Sequence, residues 1–173
     1  MDKSIPKMKP EILFLKYAFP CSMVLMQRKE ITQKTFYALE KAAINNQQVK
    51  RKLLEKIYFR AITRMKALAK EKNKNYFSEE VVREYFTKRH NQLLDGMFQN
   101  FTDKGIDIDS RAPSALKQLC KVFRAKIIRK CKGYYIVKYS NKKTRPVLSD
   151  LLPKAEVGDI VTIHYGYAVE KLD

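Results

Sequence analysis

At 173 residues the chain has room for one domain or two small ones, and 45% hydrophobic residues with ten Tyr and nine Phe supply a core, which excludes a disordered chain. Three cysteines, Cys21, Cys120 and Cys131, contain no C-x-x-C pair, and their odd number offers no disulfide framework, so a reducing cytoplasmic setting is expected. Thirty-six Lys+Arg against eighteen Asp+Glu leave a formal charge of +18, a balance that speaks to polyanionic partners rather than to fold.

The chain begins with an apolar run, Ile12 to Met26, behind Lys3, Lys7 and Lys9. Lys16 and Pro20 interrupt the run, it falls short of the ~20 residues a membrane span needs, and no clear small-residue cleavage site follows. A buried helix is expected instead. Pro10 suits its first turn, Ile12, Leu15, Phe19, Met23 and Met26 fall on one side, and Pro20 should kink or divide it. A second helix is expected from Gln33 to Asn45, capped by Thr32 and burying Phe36, Leu39 and Ala43. The clearest periodicity spans Gln48 to Lys72, where Val49, Leu53, Ile57, Ala61, Met65 and Ala69 recur every fourth residue. It predicts one helix ~36 Å long. Ser78 caps a fourth helix with an acidic first turn, Glu79-Glu80, and a buried face of Val81, Val82, Tyr85, Phe86, Leu93 and Leu94. His90 falls on the exposed side of that helix.

Thr102 to Pro113, with Gly105, Asp107, Asp109 and Ser110, reads as a boundary, followed by a short helix at Ser114 to Leu119. The period then changes to two. Strands are expected from Val122 through Ile128, over Tyr134 to Tyr139 after the Lys132-Gly133 turn, and over Arg145 to Leu148 after Asn141-Lys142-Lys143. The last seventeen residues read V-G-D-I-V-T-I-H-Y-G-Y-A-V-E-K-L-D: a turn at Gly158-Asp159, a strand from Ile160, a break at Gly166 and a returning strand from Tyr167, with His164 at the rim. The expected fold is α+β, an N-terminal α-helical bundle (residues 1–101), a linker with a short helix (102–118) and a small five-stranded OB-like β-barrel (119–173).

That final hairpin resembles the C-terminal barrel signature of the HypC/HupF/HybG family of [NiFe]-hydrogenase maturation chaperones, and the stretch Cys120-Lys121-Val122-Phe123-Arg124-Ala125-Lys126-Ile127 is similar to the family's opening, without its Pro-Gly. The resemblance covers residues 119–173. It implies that Cys120 and His164 take the places of the cysteine and histidine that hold an iron-cyano-carbonyl precursor, a transient group rather than a permanent cofactor. It also implies a HypD-like maturation protein and a hydrogenase large-subunit precursor as partners. A thiolate suits low-spin iron, and an imidazole can ligate beside it. The same residues also suit plain structural roles, a small buried side chain at a strand start and an ordinary rim histidine.

Charge points to a different partner. On the long helix Lys52, Lys56, Arg60 and Arg64 lie four apart, and in the barrel segment basic residues including Arg124, Lys126 and Arg129 crowd the strands and turns, interleaved with aromatic residues including Phe123, Tyr134, Tyr135 and Tyr139. Basic grooves with aromatic platforms are how OB-like barrels hold single strands, so nucleic acid is the alternative partner. No Walker motif, dinucleotide-binding glycine loop, G-x-S-x-G or H-E-x-x-H occurs, and catalysis is not expected.

Overall fold

The computed structural model describes residues 8–96 and 113–172. They form an α+β structure: helices first, then a five-stranded mixed sheet closed into a ring. Most of the expected boundary, residues 102–112, lies outside the described residues. Among those described, no helix is long and apolar enough to cross a membrane.

Helix α1, Pro10–Ala18, is buried on nearly every side, with Leu13, Phe14, Leu15, Tyr17 and Ala18 all in the core. A helix so enclosed, Glu11 and Lys16 included, sits at the centre of its bundle. Pro20 divides the run as expected: a 3₁₀ turn at Phe19–Cys21 separates α1 from α2, Ser22–Gln27. Helix α3, Gln33–Ile44, starts where Thr32 Oγ1 accepts the Thr35 N–H. The single long helix expected over Gln48 to Lys72 is instead two, α4 at Arg51–Ile57 and α5 at Phe59–Lys72. Tyr58 breaks it, with φ −106° and ψ 35°, and the break sends the Tyr58 hydroxyl to within 2.6 Å of buried Ser22 Oγ. Tertiary packing thus overrides a continuous helical pattern. Helix α6, Glu79–Glu84, has the expected Ser78 cap, the hydroxyl accepting the Val81 N–H.

A turn of π-helix, Tyr85–Arg89, connects α6 to α7, His90–Leu94. One extra residue in a turn rotates everything downstream by about 100° relative to an α-helix. That rotation corrects the sequence expectation for His90, which is 7% exposed and faces the sheet instead of solvent.

Helix α8, Ser114–Cys120, leads into β1, Val122–Cys131, followed by β2, Tyr134–Tyr139, β3, Lys143–Leu148, β4, Ile160–His164, and β5, Tyr167–Leu172. The ring runs β1-β2-β3-β5-β4, antiparallel throughout except for one parallel pairing of Leu148 with Tyr167. Its interior is filled by Ala125, Ile127, Tyr135, Val137, Val147, Val161, Ile163 and Ala168. The helical core is continuous with its outer surface, since Val122, Leu151 and Val169 belong to the same cluster as Phe14, Phe19 and Phe86. A bulge between Thr162 and Ile163, opposite β5, leaves Val169 as an extra residue against the helices.

Strand β4 explains the fate of His164. Alternation sends Val161 and Ile163 into the ring and Thr162 and His164 to the other face, as the sequence suggests. That other face meets the helices rather than water, so His164 is 0% exposed. The expectation of a rim histidine is corrected accordingly. At the next residue, Tyr165 adopts φ 55°, unusual for an aromatic side chain, with its N–H donated to the Leu119 carbonyl at 2.9 Å.

Polar groups fix the seam. Glu170 accepts three hydrogen bonds from Arg83, at 2.8 to 3.2 Å, and one from the Tyr17 hydroxyl at 2.7 Å, while Tyr17 also lies 3.1 Å from Thr162 Oγ1. Asn91 pairs with both backbone groups of Val122, donating to its carbonyl at 2.7 Å and accepting its N–H at 2.9 Å.

Candidate metal centre at the junction of helices and sheet

Three side chains distant in sequence converge at this seam. Cys21 comes from the 3₁₀ turn that Pro20 imposes, His90 from the residue after the π-turn, and His164 from the outward face at the end of β4. The Cys21 Sγ lies 3.4 Å from His164 Nε2, the two imidazole centroids are 5.2 Å apart, and one donor atom from each residue lies within 4.8 Å of the others. Phe86 packs 6.0 Å from both rings, and Tyr85 lies 6.1 Å from His90. These rings wall one side of the group.

Burial sets the protonation. Desolvation, with the neighbouring His164 adding to it, pushes His90 down to about 3. Desolvation likewise lowers His164 to about 4, although the carbonyls of Tyr17 and Cys120 pull the other way. Both rings are therefore neutral near pH 7. His164 Nδ1 sits 2.7 Å from the Tyr17 carbonyl, which can only accept, so the proton is on Nδ1 and the Nε2 lone pair faces Cys21. Burial also pushes the Cys21 thiol well above its usual value. His90 Nδ1 is buried with no hydrogen-bond partner among the described residues.

Cys21 and His90 open onto a pocket of about 440 Å³. Val24, Leu25 and Leu116 supply apolar wall, and Arg28, Arg60 and Arg64 line the same space. Cys120 lines it too, 5% exposed at the end of α8, its thiol also raised by burial. It is not part of the 4.8 Å group. Thus the pair expected to act together, Cys120 and His164, shares one neighbourhood, but the thiol against the imidazole is that of Cys21.

The basic residues separate into distinct environments. Lys52 and Lys56 are exposed on α4, whereas Arg60 and Arg64, beyond the break at Tyr58, turn to the pocket, Arg60 pairing with Glu30 and lying 4.6 Å over the Phe59 ring. The expected four-residue stripe is therefore not one helical face. Arg124 and Lys126 are exposed on β1, and Arg129 donates from Nε to Cys131 Sγ at 3.4 Å. Tyr134 is half-buried. Tyr135 is 0% exposed inside the ring with its hydroxyl donated to the Leu152 carbonyl at 2.7 Å, which corrects its expected role as a stacking platform.

Sequence reasoning missed Cys21 and His90. The one available signal was scarcity, since the chain has only two histidines and three cysteines, and both histidines meet here. Comparison of the chain with protein-family models, with curated proteins and with solved structures returns no match.

Proposed function

We propose that this chain is a non-catalytic assembly factor that handles a metal-containing cargo at the helix–sheet junction, its ring of strands being an OB-like barrel of the kind found in the [NiFe]-hydrogenase maturation chaperones that residues 119–173 resemble. The observation that carries this reading is the placement of Cys21 Sγ 3.4 Å from His164 Nε2 beside a pocket. The hairpin histidine is thus paired with a thiol, as the resemblance requires, although the thiol is Cys21 and not Cys120. The cargo would be an iron-cyano-carbonyl precursor, received from a HypD-like protein and passed to a hydrogenase large-subunit precursor. The arginines around the pocket suit an anionic complex.

Co-production with maturation proteins of a hydrogenase-forming host, followed by infrared spectroscopy of the purified chain, tests this. Cyanide and carbonyl stretching bands are expected in the wild type, lost in Cys21→Ser and reduced less in Cys120→Ser. A chain purified without such bands beside a maturing hydrogenase would contradict the reading.

One observation favours nucleic acid as a second reading. Lys126 on β1 sits directly opposite Lys138 on β2, next to exposed Arg124, and like charges placed opposite each other destabilise a sheet unless an anion lies across them. Affinity for a single-stranded oligonucleotide is then expected to fall steeply between low and physiological salt, and to fall further in Lys126→Glu. Anisotropy titration at two salt concentrations checks it; no binding at low salt removes this reading.

A further inference from the structure

We infer that Cys21, His90 and His164 form a three-ligand site for a bare divalent ion of a late first-row transition metal, of the zinc or cobalt class, with a fourth position open to the pocket. This rests on the reading of the junction as metal-handling, but it requires no maturation partner and no cyanide or carbonyl.

The donor set carries the chemical class. One thiol and two imidazoles with no carboxylate among them suit borderline and soft ions and leave nothing for magnesium or calcium, which need oxygen ligands. Two histidines, one cysteine and a fourth position open to the pocket form a three-plus-one arrangement that can exchange a ligand, unlike a closed four-ligand structural site.

The geometry agrees. In a tetrahedral site with metal–nitrogen bonds of about 2.0 Å and metal–sulfur bonds of about 2.3 Å, neighbouring donors are separated by about 3.3–3.6 Å. Cys21 Sγ and His164 Nε2 already stand at 3.4 Å. Since all three donors lie within 4.8 Å of one another, the remaining closure is at most about 1.2–1.5 Å, within reach of a small side-chain movement.

The surroundings prepare both rings. The Tyr17 carbonyl takes the Nδ1–H of His164 and so holds the Nε2 lone pair toward Cys21, the outer-shell arrangement that orients ligating histidines. His90 Nδ1 is the independent sign. A buried ring nitrogen without a hydrogen-bond partner among the described residues is costly unless something else uses it, and here it belongs to the side chain that lines the pocket with Cys21. On binding, the Cys21 S–H bond gives way to an S–metal bond and the proton leaves to solvent. No oxidant or reductant is needed.

Anaerobic titration of the purified full chain with Co²⁺ tests the site. Saturation at one ion per chain is expected, with intense visible d–d bands of a tetrahedral centre and a near-ultraviolet thiolate-to-cobalt band. Cys21→Ser should abolish the near-ultraviolet band, His90→Gln should weaken Co²⁺ and competing Zn²⁺ binding on the order of a hundredfold, and Cys131→Ser should match the wild type. Circular dichroism confirms that each variant is folded; should His90→Gln not fold, the wild-type titration and Cys21→Ala still decide. Absence of saturable binding by the wild type, or a near-ultraviolet band that persists in folded Cys21→Ser, would overturn the inference. A Co²⁺ site in a chain that never acquires cyanide or carbonyl bands would uphold it and remove the maturation reading. Those bands without a Co²⁺ site would do the reverse.

Discussion

Glu170→Ala is expected to lower the unfolding free energy by about 3–5 kcal/mol, the usual cost of deleting one member of a buried ion pair while its partners stay behind. The carboxylate is the anionic centre of the helix–sheet seam. It accepts from the guanidinium of Arg83 and from the hydroxyl of Tyr17, and its charge offsets the burial that lowers the pKa of Lys16, a residue only 4% exposed. Without it, Lys16 loses its counter-charge, and among the described residues Arg83 is left with Glu79, 3.0 Å away. Glu170→Gln should cost about half as much, because an amide oxygen still accepts hydrogen bonds but carries no charge. Urea unfolding followed by circular dichroism measures both variants. A loss under about 1 kcal/mol for Glu170→Ala would mean that the seam is held by apolar contact alone.

Saturating Zn²⁺ is expected to stabilise the fold by about 4 kcal/mol when free metal exceeds its dissociation constant a thousandfold. The site takes two ligands from the helices and one from β4, so the folded, docked arrangement binds and the unfolded chain does not bind comparably. For a chain of this size that corresponds to a rise in Tm of about 10 °C. Cys21→Ser should lose most of the rise while keeping the apoprotein's Tm within a few degrees. Differential scanning fluorimetry with zinc and with a chelator reads both, and an equal Tm under the two conditions would contradict the linkage.

What could be read from the sequence was what local chemistry decides. The Thr32 and Ser78 caps, the division of the first helix at Pro20, and strands punctuated by Lys132-Gly133 and by Tyr165-Gly166 all depend on residues close together along the chain. The break at Tyr58 did not announce itself, because the apolar repeat from Val49 to Ala69 runs through it without a glycine or proline. In the folded core the broken position is also where the Tyr58 hydroxyl meets Ser22 Oγ, a contact between residues 36 apart that no local pattern records. Helical periodicity puts His90 on the solvent side for a related reason: the π-turn that rotates it inward leaves no mark on that periodicity. The hairpin pattern puts His164 at a rim, whereas its burial comes from the helices docked on the outer face of β4, which no local pattern records. Cys21 and His164 are 143 residues apart, a separation at which no spacing rule operates.

Zinc K-edge X-ray absorption of the fully loaded chain tests most directly whether Cys21, His90 and His164 together hold one metal ion. One sulfur at about 2.3 Å and two imidazole nitrogens at about 2.0 Å are expected, with the sulfur shell gone in Cys21→Ser. A first shell of oxygen and nitrogen only in the wild type, or a sulfur shell unchanged by Cys21→Ser, would contradict the claim.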